Sequence, residues 1–306
     1  MLRYALQRFL AMVPLLVGVS LLVFSMVHLT PGDPVRLMLG EEATQEDVAR
    51  VRSELGLDEP LPVQFVAYLG RLVVGDLGFS LRSRQPVAQD LAQRIWPSVE
   101  LAIAAMMIAT VLGVVLGVAA AVRRGTWLDT LAMMVAVTGV SAPTFWVGLI
   151  LILVFSVHLG WFPSSGRGGL THLALPAVTL GLHYAASIAR VTRSSMLDVL
   201  NEDYVRTAHA KGLAPMAVIV GHALKNAMLP TVTLIGLQLG ALLGGTVVVE
   251  TVFAWPGIGR FAIDAIKHRD YPVVQAAILF MAVAFAFSNL IVDLLYGFLD
   301  PRIEYS

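Results

Sequence analysis

Long apolar runs separated by short polar stretches dominate this chain. The runs cover about 9–29, 98–122, 131–158, 173–190, 230–253 and 273–298. Each is near or above the ~17–25 residues that a helix needs to cross a membrane. The fourth run has the weakest apolar pattern, because Pro176 and His183 interrupt it and Arg190 closes it. The pattern predicts an all-α integral membrane protein with six transmembrane helices and both termini on one side.

The composition agrees with a chain that lies in a lipid bilayer. Apolar residues make up 57% of the 306 positions and charged residues 14%, against about a quarter charged in soluble domains. The formal net charge is zero, so nothing indicates a nucleic-acid partner. There is no cysteine, which excludes disulfides, thiolate metal sites and a cysteine nucleophile.

Arginine and lysine in the short loops predict the orientation, because cytoplasmic loops carry an excess of both. The cations on one side are Arg3, Arg8, Arg123, Arg124, Arg190, Arg193, Arg206, Lys211 and Lys225. The short loop after the third run has Arg167 alone. Both termini are therefore expected in the cytoplasm, although Arg260, Lys267 and Arg269 fall on the outer side. No small-x-small cleavage site follows the first run, so we expect a retained helix and not a signal peptide.

The segment between the first two runs has the pattern of a small soluble unit. Thr44 is placed to cap a helix that Gly56 ends, and a second amphipathic helix follows Pro62. We therefore expect a helical extracytoplasmic cap and no strand-rich domain. The predicted organisation is 1–30 for the cytoplasmic start and first helix, 31–97 for the cap, and 98–306 for the transmembrane domain, which contains a coupling loop at 198–229.

Few polar side chains fall inside the apolar runs. His183 is the ionisable group placed near the membrane midplane; it is a candidate for the transport pathway, or an imidazole that bonds a neighbouring helix. Gln238 is a pathway candidate as well, with an interhelical hydrogen bond as the alternative. The small residues of 236–245 indicate close helix packing, or a helix that slides beside a path.

Motifs for catalysis and nucleotide binding are missing from the sequence. The patterns G-x-S-x-G, H-E-x-x-H and G-x-x-x-x-G-K-[ST] do not occur. We therefore predict no catalytic residue, no metal site and no cofactor bound by this chain. Energy for uphill transport would come from an ion gradient or from a partner that hydrolyses nucleotide.

A polar, helix-prone insert of residues 202–229, here named the knuckle, separates the fourth and fifth runs. Tyr204, Ala208 and Lys211 share a helical face, Gly212 ends that helix, and Pro215 fits the first turn of a second. Apolar residues at helical spacing predict one face on the second helix: Met216, Val220, Ala223 and Ala227. Two short helices at a glycine corner favour either a docking surface or a connector lying on the lipid surface.

The knuckle sequence "YVRTAHAKGL…HALKNAMLP" resembles the cytoplasmic loop motif of ABC importer permeases, in which E-A-A, three residues and Gly precede I-x-L-P. Arg206-Thr207-Ala208 stands in place of E-A-A, and the spacer to Pro230 is longer. Both departures resemble the branch that imports dipeptides, oligopeptides, glutathione or nickel. Further stretches resemble that branch: "PGDPVRLMLG", "GVSAPTFWVGL", "VVVETVFAWPGIGR", "DYPVVQ" and "DPRI".

The resemblance implies an assembly in a bacterial or archaeal cytoplasmic membrane. This chain would pair with a second, homologous permease subunit, two cytoplasmic ABC ATPase subunits would bind ATP and Mg, and an extracytoplasmic substrate-binding protein would deliver cargo. Coupling would be mechanical. The ATPase-contacting residues would be Tyr204, Arg206, Ala208, Lys211 and Gly212, with Glu202 or Arg206 replacing the missing glutamate.

The segment Glu250–Arg260 follows the fifth run on the outer side. The resemblance and the Trp-Pro-Gly turn suggest that it re-enters towards the pathway, where Phe253 and Trp255 would help to close an outer gate. A tryptophan anchored at the lipid interface is the alternative. Two other functions stay open at this point: an ion-coupled carrier or channel that works without an ATPase, and a structural membrane scaffold. The scarcity of charge inside the runs disfavours the carrier.

Overall fold

A computed structural model describes residues 2–29, 35, 44–54 and 56–299. The helices before the knuckle are α1 Leu2–Leu29, α2 Gln45–Glu54, α3 Leu61–Val73, α4 Val87–Val122, α5 Trp127–Ser141, α6 Thr144–Leu151 and α7 Leu170–Leu200. The others are α8 Asp203–Ala210, α9 Pro215–Val218, α10 Leu224–Gly245, α11 Val247–Val252, α12 Ile258–Lys267 and α13 Tyr271–Leu299. Across these described ranges the fold is helical, and β pairing is limited to one isolated bridge between Phe79 and Pro86. The motifs at 31–40 and 300–303 lie largely or wholly outside the described residues.

Among the described residues, five helices are long and apolar enough to cross a membrane, and a sixth span results if a bent pair is one span. That pair is α5 and α6, and the chain bends by 105° between them. The predicted run 131–158 is therefore broken, because Pro143 favours extended backbone at Ala142. Beyond Leu151, α6 continues as a π-helical segment, Ile152–His158.

Two spanning helices are longer than their apolar runs. α4 begins at Val87 and not near residue 98, because the polar residues before the run continue the same helix through Pro97. The boundary predicted between cap and transmembrane domain at 97/98 thus falls inside a helix. α7 extends from Leu170 to Leu200 through Pro176, and it is the most buried spanning helix.

Close contact between α4 and α7 forms the centre of the molecule. A Cβ atom built on Gly113 would lie 2.6 Å from the Ile188 side chain, and one on Gly117 would lie 2.7 Å from both Ala189 O and the Thr192 side chain. Glycine at these positions lets the two backbones approach more closely than any larger residue permits.

The small residues of 236–245 serve a second close packing, between α10 and α13. A Cβ atom on Gly236 would lie 2.5 Å from Val292, and one on Gly240 would lie 3.0 Å from Ser288. The structure therefore supports the packing interpretation of this stretch. It gives no separate indication of sliding.

The cap packs on the C-terminal end of α1. Thr44 caps α2 by accepting a hydrogen bond from Asp47 N at 3.2 Å. On α3, the Phe65 and Tyr68 rings lie 5.4 and 5.8 Å from the Phe24 ring of α1. Burial raises the pKa of Tyr68 to about 12, with nearby Arg71 acting in the opposite direction, so the phenol stays neutral at physiological pH.

Contacts between distant segments define two ends of the molecule. At the cap end, Ser80 Oγ donates to Asp270 at 2.5 Å, which joins the segment after α3 to the loop between α12 and α13. At the opposite end, Arg8 of α1 pairs with Asp293 of α13 at 3.2 Å. The knuckle lies between α7 and α10 at this second end, called the knuckle end below.

Candidate coupling knuckle and outer collar

The knuckle is a folded unit with its own apolar core. α8 and α9 meet at Gly212, whose φ of +79° is a left-handed conformation that glycine adopts readily. Side chains from both helices pack against the ends of α4 and α7, and the buried members are Ala121, Met196, Val205, Ala208, Val218, Ala223 and Ala227. This packing fixes the knuckle relative to the spanning helices, so a force on it reaches α7 and α10.

Four of the five residues expected to contact an ATPase lie on the surface of the knuckle. Tyr204, Arg206, Lys211 and Gly212 are exposed. Ala208 differs: it is only 6% exposed and packs inside the knuckle core. Ala208 therefore positions α8 and does not itself face outward. The face predicted for Tyr204, Ala208 and Lys211 is only partly exposed, because Ala208 packs with Val205 in the buried core.

Polar contacts hold the exposed residues of α8. Asn226 Nδ2 donates to Tyr204 Oη at 2.8 Å, which links α8 to α10. Arg206 pairs with Asp203 one turn earlier, at 2.9 Å. Glu202 is exposed at the start of α8, where its backbone carbonyl accepts from the Arg206 N–H at 3.3 Å. The two residues considered as substitutes for the missing glutamate are thus both accessible.

The apolar residues predicted to share one face of the second helix differ in exposure. Met216 is 69% exposed and Val220 is 55% exposed, whereas Ala223 and Ala227 are buried. A π-helical turn, Ile219–Ala223, follows α9 and rotates the later residues away from the earlier ones. Together with exposed Leu213, Met216 and Val220 add an apolar patch to the knuckle surface.

An ion pair supports the knuckle end of the bundle. Arg193 of α7 donates to both carboxylate oxygens of Asp129 on α5, at 2.6 and 2.8 Å. Gly125 N also donates to Asp129, at 3.0 Å. Asp129 is buried while Arg193 keeps partial access to solvent. This bidentate contact joins the loop before α5 to the helix that enters the knuckle.

At the cap end, the segment Phe253–Arg260 folds into the molecule. Phe253 and Trp255 are fully buried in the cluster that contains α4 and α7. Trp255 Nε1 donates to Pro97 O at 2.9 Å, and the Phe253 ring packs on Gly148 of α6. These positions disagree with a tryptophan anchored at the lipid interface. The two buried side chains fix this segment against the rest of the molecule.

A buried carboxylate organises the same segment. Glu250 Oε1 accepts from Ser98 Oγ at 2.7 Å and from Thr246 Oγ1 at 2.6 Å, and Oε2 accepts from Arg260 N at 2.9 Å. Glu250 is fully buried, so these three donors replace its hydration. Gly257 lies directly against the carboxylate, where a Cβ atom would overlap it.

The loop after α6 closes over this region. Gly166 N donates to Phe253 O at 2.9 Å. Arg167 pairs with Glu100 at 2.7 Å and places its guanidinium 6.0 Å from the centre of the Trp255 ring. The structure thus joins three segments around Trp255, named here the outer collar: 97–100, 166–167 and 250–260.

The two polar residues proposed for the pathway lie on neighbouring helices. Gln238 Nε2 donates to Ser187 Oγ of α7 at 2.7 Å, which is the interhelical bond considered as an alternative. His183, one turn before Ser187, packs edge-on against Tyr184. Within the described residues, His183 Nδ1 and Gln238 Oε1 are buried without a hydrogen-bond partner.

Comparison with protein families assigns both parts of the chain. Residues 1–102 match the N-terminal component of binding-protein-dependent transport system membrane proteins. Residues 113–305 match the binding-protein-dependent transport system inner membrane component. The chain belongs to this family. It is therefore a multi-pass inner membrane permease subunit of an ABC importer, and permeases of this family work with an ATPase and a substrate-binding protein.

Curated relatives and solved structures agree with this family. The chain is 50% identical over 305 residues to the glutathione transport system permease protein GsiC of Salmonella paratyphi A and of Escherichia coli K12, with both chains covered fully. Among solved structures, the inward-facing MetNI methionine ABC transporter matches 69% of this permease and 97% of its own chain, with a TM-score of 0.60 and 19% identity. An amino acid ABC transporter matches 68% of this permease and 94% of its own chain, with a TM-score of 0.53 and 14% identity. These two structures support the fold.

Proposed function

We propose that this permease imports glutathione or a small peptide of similar size, driven by ATP that partner subunits hydrolyse. The observation that carries this proposal is the 50% identity over the full length to glutathione permeases. Two cytoplasmic ABC ATPase subunits bind ATP and Mg, a second homologous permease forms the other half of the pathway, and an extracytoplasmic binding protein delivers cargo. Both termini lie in the cytoplasm, together with the knuckle.

The knuckle is the ATPase-docking surface in this proposal. Its exposed residues come from both helices: Tyr204, Arg206, Lys211 and Gly212, together with Leu213, Met216 and Val220. An apolar patch with a polar rim is typical of a surface that binds a partner protein. The buried core around Ala208 makes the knuckle rigid enough to pass a displacement to α7 and α10.

The outer collar controls the opposite end of the pathway. Phe253 and Trp255 do not reach outward themselves, so their contribution to an outer gate is to fix the position of the Phe253–Arg260 segment. Between the two ends, His183 and Gln238 offer unpaired hydrogen-bonding atoms at the α7–α10 contact. We propose that cargo meets these groups when the helices separate.

Uptake by the complete transporter tests the cargo. The permease would be reconstituted with its partner permease and ATPase subunits, and supplied with the binding protein and labelled glutathione, a dipeptide, an oligopeptide or nickel. We expect ATP-dependent uptake of glutathione or a dipeptide that requires the binding protein. Uptake of nickel alone would contradict the peptide-class cargo. Uptake driven by an ion gradient without the ATPase subunits would contradict the coupling mechanism.

A further inference from the structure

A cluster of cations lies at the cap end of the molecule, outside the outer collar. Asp270 joins the loop between α12 and α13 to the segment after α3, because its carboxylate accepts from Ser80 Oγ at 2.5 Å, Leu81 N at 3.1 Å and Arg82 N at 3.3 Å. The cations stand within a few residues of this junction, on both segments, and are Arg82, Arg84, Lys267 and Arg269. We name these four residues the basic junction.

The part of the chain that the structure describes gives the basic junction no acidic partner. All four side chains are exposed, and none takes part in an ion pair within the described ranges. Asp270 is buried and already accepts three hydrogen bonds. Of the carboxylates close by in the chain, Asp264 pairs with Arg260, and Asp90 accepts from Ser83 Oγ at 2.7 Å.

The backbone holds this cluster in an unusual shape. Arg84 and Arg269 have φ values of +56° and +55°, and among the described residues only Ala254 is another non-glycine with positive φ. Side chains other than glycine rarely adopt this conformation, which here occurs in a turn closed by Arg84 N donating to Ser80 O at 3.0 Å and after the end of α12. Arg82 is held as well, since its guanidinium lies 3.5 Å from the His268 ring. Arg269 follows the end of α12, where Asp270 N donates to Ala265 O at 2.9 Å and Arg269 N donates to Ile266 O at 3.1 Å, so the helix end fixes this part of the cluster.

We propose that the basic junction is a docking surface for an acidic face of the extracytoplasmic substrate-binding protein. This proposal rests on the proposed function, which places the cap end outside the membrane. Charge complementarity steers a diffusing partner and fixes its orientation. Phe79 lies beside Ser80 and is exposed, as is Ile266 beside Lys267, so apolar contacts border the charges as they do in protein interfaces. Docking here would bear directly on the Asp270 junction and on α12, which begins at the collar.

The test measures how much binding protein is needed to stimulate ATP hydrolysis by the complete transporter in nanodiscs. The test variant carries Arg84→Glu and Lys267→Glu. The control variant carries Arg50→Glu and Arg71→Glu, which make the same change of net charge on the exposed faces of α2 and α3. We expect the half-maximal concentration of binding protein to rise about tenfold or more in the test variant and less than twofold in the control.

Two further measurements separate the possible causes. The neutral variant Arg84→Gln with Lys267→Gln should give an intermediate shift. Raising the salt concentration should increase the half-maximal concentration of binding protein more for the unaltered transporter than for the Arg84→Glu, Lys267→Glu variant. A half-maximal concentration that stays within twofold in the test variant would overturn the proposal, as would equal shifts in test and control. So would a shift that appears only with anionic lipid in the nanodisc, since the cations would then bind headgroups. Absence of any stimulation in the unaltered transporter would instead contradict the proposed function.

Discussion

At the scale of single residues, burial separates those that shape this permease from those that can touch a partner. The motifs predict Ala208 as an ATPase contact and Trp255 as part of an outer gate, and both side chains are buried. The motifs point to segments of the chain, but a motif does not show which side of a short helix faces outward. That depends on the packing of α4 and α7 beneath them, which no local pattern encodes.

Glu250 gives a prediction at this scale. Replacing it with Ala leaves Ser98, Thr246 and the Arg260 N–H without their buried acceptor, and each orphaned group costs about 1–3 kcal/mol. We expect Glu250→Ala to lower the melting temperature of the purified complex strongly. Glu250→Gln keeps the shape and one acceptor oxygen, so its effect should be smaller. Equal melting temperatures for Glu250→Ala and the unaltered protein would contradict the role assigned to this carboxylate.

At the scale of elements, hydrophobic patterning predicted the spanning helices well and their ends poorly. The apolar runs locate α1, α4, α10 and α13, because burial in lipid demands about twenty apolar residues. α4 begins earlier than its run, because residues 87–97 continue the same helix. Their backbone hydrogen bonds form within the helix whether it lies in lipid or in water. The break between α5 and α6 has a local cause at Pro143, because the residue before a proline disfavours helical backbone. This signal is present in the sequence. The π-helical turn after α9 has no comparable signal in the sequence.

The α4–α7 crossing supplies a prediction for a whole element. Gly113→Val would place a side chain against Ile188, where a Cβ atom alone comes within 2.6 Å. Overpacking of this kind costs about 1–3 kcal/mol, so we expect a clear loss of thermal stability. Gly18→Val in α1 is the matched control, because a Cβ atom there meets nothing within 4 Å. Similar losses in both variants would show that helix propensity, and not the crossing, explains the effect.

At the scale of the whole molecule, the two surfaces that we propose for partner contacts are joined by one closely packed core. The knuckle and the basic junction lie at opposite ends, and α7 and α10 connect the knuckle to the outer collar through the tightly packed α4. In the proposed function, such an arrangement would couple the two ends mechanically, without a titrating group within the membrane. The family could be recognised from the sequence alone, whereas the division between buried and exposed knuckle residues required the structure.

The most direct test of the central claim uses the absence of cysteine from this chain. Single cysteines would be placed at Ala210, which is exposed on α8, and at buried Ala208 as the matched control. Membranes would be treated with an impermeant maleimide from each side, with and without the ATPase subunits. We predict that Ala210→Cys is labelled from the cytoplasmic side alone and is protected when the ATPase subunits are present, while Ala208→Cys reacts poorly throughout. Labelling of Ala210→Cys from outside, or equal labelling with and without the ATPase subunits, would contradict the account.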